Sequence, residues 1–115
     1  RTIFKSEASE VTIPSYEGQM GILKDHIPLI TFLRPGIIVI RNHEEKKYYV
    51  EEGTVEFSSN NLLILTSTAK DLKNFEKSSI DSLIADAEKK LESNNLTDKE
   101  NYINSYKIDS LKEIN

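Results

Sequence analysis

The sequence predicts a mainly β fold with an α tail: an antiparallel β-sandwich over residues 1–75, followed by an antiparallel two-helix hairpin over 76–115. Three observations predict it. All four glycines and all three prolines lie between Pro14 and Gly53, and the last 62 residues contain neither. That shift separates a turn-rich part from a turn-poor one. The first part is made of short apolar runs divided by turn residues, the pattern of a sandwich or barrel. The second part repeats its apolar residues at helical spacing.

Taken in order, "EVTIP" (10–14) alternates and puts Val11 and Ile13 on one face. "QMGIL" (19–23) follows a turn around Glu17-Gly18. "LITFL" (29–33) runs into Arg34-Pro35-Gly36, where Pro then Gly at the central turn positions favours a type II turn. "IIVIR" (37–41) opens with four β-branched residues, as expected for a strand covered on both faces. "NHEEKK" (42–47) reads as a charged surface loop, and "YYVEEGTVEF" (48–57) as one strand bent near Gly53. After a turn at "SSNN", "LLILTSTA" (62–69) reads as a further strand.

In the tail, Ile80, Leu83, Ile84, Ala87 and Leu91 share one helical face. Ser78 and Asp81 have the spacing of a capping box, and Thr97 with Glu100 repeats it after the break at "NNL". Ile103, Tyr106, Leu111 and Ile114 form a looser second stripe. Two such short helices are marginal alone in water, so the hairpin must pack on itself, on the sandwich or on a partner.

Composition excludes several classes. The 115 residues carry a net charge of −4. Split after Phe75, the two parts carry −1 and −3. Neither is basic, which argues against nucleic acid as a partner. Without cysteine there are no disulfides, thiolate nucleophiles or Cys-ligated metals. No apolar run reaches the ~18 residues that a spanning helix needs. "TIFKSEASEV" lacks the apolar stretch of a signal peptide.

The stretch "EGQMGILKDHIPLI" (17–30) raises the question of a site. His26 is one of two histidines, and His43 lies in the charged run. No ligand set with metal spacing surrounds either, and no G-x-S-x-G supplies a nucleophile elbow. "EGQMG" lacks the Lys-Ser/Thr and following helix of a phosphate loop, so Gly18 and Gly21 read as turn or close-approach positions. Tyr48 and Tyr49 must face opposite ways, which puts one in the core. Glu51 and Glu52 also diverge on a regular strand and make a poor catalytic pair. No catalytic residue and no metal site is expected. The rival readings are a single-strand nucleic-acid module, which would need a basic groove, a small β-barrel enzyme and a generic interaction domain.

The run "VTIPSYEGQMGILKDHIPLITFLRPGIIVI" resembles the epsilon subunit of the bacterial F-type ATP synthase, called delta in mitochondria. Val11, Pro14, Gly18, Gly21, Ile22, Leu23, His26, Pro28, Leu29, Ile30, Leu33, Pro35 and Gly36 all stand in the family register. "EEGTVEFSSNNLLILTSTA" resembles the family's second block, with Glu51-Glu52-Gly53 where a Ser-Gly-Gly triplet is usual. The two-helix tail completes the likeness. The family carries a further strand before the equivalent of Thr2-Ile3-Phe4, so this chain reads as a fragment or as a sandwich with an open edge.

The resemblance implies a non-catalytic rotor subunit that links the gamma subunit to the c-ring and couples proton flow to ATP synthesis. It implies c-ring contacts at Glu17, Gln19, Met20, Gly21 and His26. It makes Ile80, Asp81, Leu83, Ile84, Ala87 and Leu91 the regulatory face of the tail, which can reach the alpha and beta subunits when extended and inhibit ATP hydrolysis weakly. Some members bind ATP through I/L-D-x-x-R-A. This chain reads Ile80-Asp81-Ser82-Leu83-Ile84-Ala85, with Ile84 in place of the Arg, and no cofactor is expected. The implied location is peripheral, on the cytoplasmic face of the bacterial inner membrane, or on the matrix face if mitochondrial.

Overall fold

The computed structural model describes residues 2–6, 10–23, 27–42, 44–59, 61–93 and 95–114. Among the described residues nine strands precede two helices: β1 (Thr2–Ser6), β2 (Glu10–Ser15), β3 (Gly18–Leu23), β4 (Leu29–Leu33), β5 (Gly36–Arg41), β6 (Glu45–Val50), β7 (Gly53–Ser58), β8 (Asn61–Leu65), β9 (Lys70–Asp71), α1 (Lys77–Leu91) and α2 (Asp98–Ile114). A short 3₁₀ turn at Leu72–Asn74 leads from β9 toward α1.

All the ladders are antiparallel. One layer runs β1-β8-β7-β4, and the other runs β3-β2-β5-β6-β9. They meet at one corner, where Ser15 pairs with Leu33 and the Arg34 N–H donates to Pro14 O at 3.0 Å. Between the layers lies a core to which Val11, Ile13, Ile38, Ile40 and Val50 contribute from one sheet and Leu33, Val55, Phe57, Leu62 and Ile64 from the other. Each such side chain removed from water stabilises the fold by about 1.5–3 kcal/mol before entropy is counted.

Alternation decides what packs on the outside of the second layer. On β5, Ile38 and Ile40 enter the inter-sheet core, while Ile37 and Val39 are half-buried on the other face, over which α2 lies. On β6, Tyr48 packs against the inter-sheet core. Tyr49 turns the other way and is buried with Ile80, Ile84 and Leu111. Its ring meets Phe75 at 5.7 Å. One tyrosine therefore serves each face, and Tyr49 is the seat of the tail.

The α1 face is as the spacing predicts: Ile80, Ile84 and Ala87 are buried, and Leu83 and Leu91 half-buried. On α2 the buried line is Asn104, Ile108 and Leu111, with Ser110 beside it. Ile103, Tyr106 and Ile114 are half-buried at its margins. Asn104 is admitted because its side-chain amide donates to Glu100 O, and Ser110 because its hydroxyl reaches Tyr106 O and Pro35 O. Thr97 and Glu100 do form a reciprocal cap, each side chain bonding the other residue's N–H.

Five local expectations are corrected. Residues 48–57 are not one bent strand: the chain leaves the ladder at Glu51-Glu52 and resumes as β7 in the other sheet. Glu51 N donates to Thr68 Oγ1, and Gly53 sits at φ 151, a conformation that favours glycine. Glu45 to Lys47 are strand rather than loop, because Arg41, Ile40 and Val39 pair with them. β8 stops at Leu65, where Thr66 turns inward to donate to Glu52 O. The first helix starts at Lys77 after Glu76, with no side-chain cap, so Ser78 already lies inside it and no Ser78–Asp81 box forms. Gly36 does not take the positive φ of a type II turn. It is needed because a Cβ there would lie 2.5 Å from Pro14 Cβ.

Candidate functional site

The sequence-selected stretch around Gly18 forms one end of the sandwich. The Ser15 hydroxyl donates to Gly18 O at 2.8 Å and accepts from Glu17 N at 3.2 Å, closing a two-residue turn. Gly18 has φ 122, a value that a side chain would strain. From this turn β3 alternates. Gln19 and Gly21 face outward and are exposed, as is Glu17 in the turn, whereas Met20 and Ile22 pack on the core. A Cβ on Gly21 would meet nothing within 4 Å. The chain itself therefore does not require glycine there. β3 pairs only with β2 among the described strands, so it is an edge. His26 lies outside the described residues.

The free face of the first layer was not picked out by sequence reading. Ile30 is 73% exposed and Phe32 63% exposed, with Ile27 just before them at 75%. Their cross-strand rows are Phe32–Thr54–Leu65 and Ile30–Glu56–Leu63, with Leu63 and Leu65 half-buried. On this face the carboxylate of Glu56 stands directly between Ile30 and Leu63, with Thr54 and Ser58 two residues away on its own strand. "LITFL" carries the signal: only Thr31 interrupts its apolar residues, so both faces of this strand are apolar and the core takes only one.

At one end this face runs into a cavity of about 1030 Å³, lined by Phe32, Leu65 and Tyr16 from the sandwich and by Lys99 and Tyr102 from α2. Tyr102 stacks on Tyr16 at 5.7 Å and meets Tyr106 at 4.6 Å. The Arg34 guanidinium lies 3.8 Å from the centroid of the Tyr106 ring and donates to the Tyr102 hydroxyl at 3.2 Å. A second tie is the ion pair of Lys107 Nζ with Glu51 Oε2 at 3.0 Å, to which the Tyr49 hydroxyl also donates. Burial, then the neighbouring Glu51 carboxylate, raises the Tyr49 pKa well above the ordinary phenol value. Elsewhere Arg41 holds Glu45 below the usual carboxylate range, on an open surface where such a pair adds little stability. No group of three or more metal-ligating side chains is found among the described residues.

The regulatory face predicted for the tail is inside the closed hairpin. Ile80 and Ile84 are buried against Tyr49 and Leu111, and Ala87 is buried too, while Asp81 is exposed.

A tail clamped to one sheet and an uncovered apolar face on the other define a docking subunit, a chain shaped to be covered by others. Comparison makes the class specific. Residues 1–71 match the family model for the ATP synthase delta/epsilon chain, β-sandwich domain. The ATP synthase epsilon chain of Pelagibacter ubique is 46% identical over 112 residues, covering 96% of this chain and 86% of that protein. The mitochondrial ATP synthase subunit delta of Schizosaccharomyces pombe is 38% identical over 88 residues, or 73% of this chain and 53% of that one. Among solved structures, a chain of the Euglena gracilis mitochondrial ATP synthase, from its OSCP/F1/c-ring assembly, superposes with TM-score 0.72 at 20% identity. It covers 92% of this chain and 69% of that one. A chain from the central stalk and c-ring of the Tetrahymena thermophila enzyme gives TM-score 0.60 at 18% identity, covering 93% and 81%. This chain belongs to the ATP synthase delta/epsilon family.

Proposed function

We propose that this chain is the non-catalytic central-stalk subunit of an F-type ATP synthase, joining the gamma subunit to the c-ring so that proton flow turns the rotor and drives ATP synthesis. The observation that carries the reading is the division of labour between the two sheets. The tail occupies the outer face of β5 and β6, leaving the apolar face of β4, β7 and β8 for gamma. The polar end at Glu17, Gln19 and Gly21 suits the polar loops of a c-ring, and the sequence resemblance adds His26 to that contact. The open space over Gly21 is room for a neighbour's backbone.

Among the described residues no helix is long and apolar enough to cross a membrane. In this reading the chain sits peripherally, on the cytoplasmic face of a bacterial inner membrane, held there by its partners. The tail inhibits ATP hydrolysis weakly by leaving the sandwich and extending toward the alpha and beta subunits. That step must break the Arg34–Tyr102–Tyr16 contacts and the Lys107–Glu51 pair. The tail takes no ATP, since Ile84 offers a phosphate no charge.

The experiment is reconstitution. Catalytic complexes depleted of this subunit are returned to stripped membranes with and without the full chain. Restored ATP-driven proton pumping, beyond restored hydrolysis, is the expected result. Pumping that is indifferent to the chain would contradict the reading.

A further inference from the structure

The carboxylate in the apolar face of β4, β7 and β8 has a specific setting. Glu56 stands between Ile30 on β4 and Leu63 on β8 in a direct cross-strand row. Its side chain is exposed and has no ion pair among the residues whose side chains are described, and the row continues past Leu63 to Lys5 on β1. With Pro28, Leu29, Ile30, Phe57 and Ser58 it lines a hollow of about 400 Å³. A carboxylate that a flat apolar partner covered would lose its water with nothing in return. A long cationic side chain meets both demands of the hollow. Its alkyl stem packs on Pro28 and Ile30, and its head reaches the carboxylate.

We infer that the partner docking on this face presents an apolar surface bearing one Lys or Arg, which inserts beside Glu56. This rests on the assignment of the face to the gamma subunit and adds the chemistry that selects the partner and fixes its register. The charge pair and the apolar rows then act together: burial supplies affinity, and the single cation excludes apolar surfaces that lack one.

The test uses the full chain and purified alpha–beta–gamma complex lacking this subunit, with binding followed by interferometry across a range of salt. Wild type, Phe32→Ser, Glu56→Gln and Glu56→Lys are compared. Both positions are exposed, so melting temperatures should match and confirm folding. Phe32→Ser should lose most binding. Glu56→Gln should weaken it by about tenfold and flatten its salt dependence, and Glu56→Lys should weaken it further. If the Glu56 variants bind like wild type while Phe32→Ser does not, the face stands and the cation is overturned. If Phe32→Ser also binds like wild type, the assignment of the face fails with it. Self-association of the wild type that Glu56→Lys abolishes would make the occupant a second copy of this chain and overturn the inference.

Discussion

Tyr102 on α2 stacks on Tyr16 at the β2–β3 turn, their ring centroids 5.7 Å apart and their planes 15° from parallel. The two residues are 86 positions apart. Arg34 closes the arrangement by donating to the Tyr102 hydroxyl and lying over Tyr106. With the Tyr49 cluster and the Lys107–Glu51 pair, this contact holds the hairpin on the sandwich.

Tyr102→Ala should therefore loosen the tail by about 1–2 kcal/mol, the combined worth of a stacked pair and its hydrogen bond. Hydrogen exchange would read this as α2 amides exchanging about tenfold faster or more while the inter-sheet core keeps its protection. Equal acceleration in β5 and β8 would mean that the contact supports the whole fold rather than the tail.

Tyr49 supplies a pH signature. Burial and the Glu51 carboxylate raise its pKa, so its neutral form is favoured in the fold. The stabilisation is full below the unfolded phenol value of about 10 and is lost as pH rises beyond it. In an absorbance titration Tyr49 should stay un-ionised beyond the ordinary phenol range, and should ionise only with loss of the tail or the fold. Tyr49→Phe should remove that late component. A late component unchanged in Tyr49→Phe would contradict the assignment.

Two glycines should part company. Gly36→Ala places a Cβ 2.5 and 2.7 Å from two atoms of the Pro14 ring and should cost about 1–3 kcal/mol. Gly21→Ala meets nothing within 4 Å and should leave the melting temperature unchanged or slightly raised. In the assembled enzyme Gly21→Ala should nevertheless reduce proton-pumping efficiency if, as proposed, a c-ring loop takes the space that the added methyl fills. Full pumping by this variant would remove Gly21 from the contact.

How much was legible follows from what each signal reports. The helical faces could be read because Ile80, Ile84 and Ala87 repeat at a period that only a helix brings together. The Thr97–Glu100 cap was legible because its bonds are local. Ser78–Asp81 had the same spacing, but the helix began earlier, and spacing alone does not locate a start. The break at Glu51-Glu52 was hidden because its cause, the hydroxyls of Thr66 and Thr68, comes from the distant segment that follows β8. The Arg34–Tyr102–Tyr16 contact joins distant segments and has no local pattern at all. The face of Ile30 and Phe32 was half legible: a strand apolar on both sides announces a second contact, but only the topology shows that the tail covers the other sheet.

The most direct test of the central claim is to capture the tagged full chain from gently solubilised membranes of its source and measure the stoichiometry of what comes with it. The account predicts gamma, alpha, beta and c-ring subunits in fixed proportion, with Phe32→Ser losing them together. Recovery of the chain without gamma and the c-ring would contradict it.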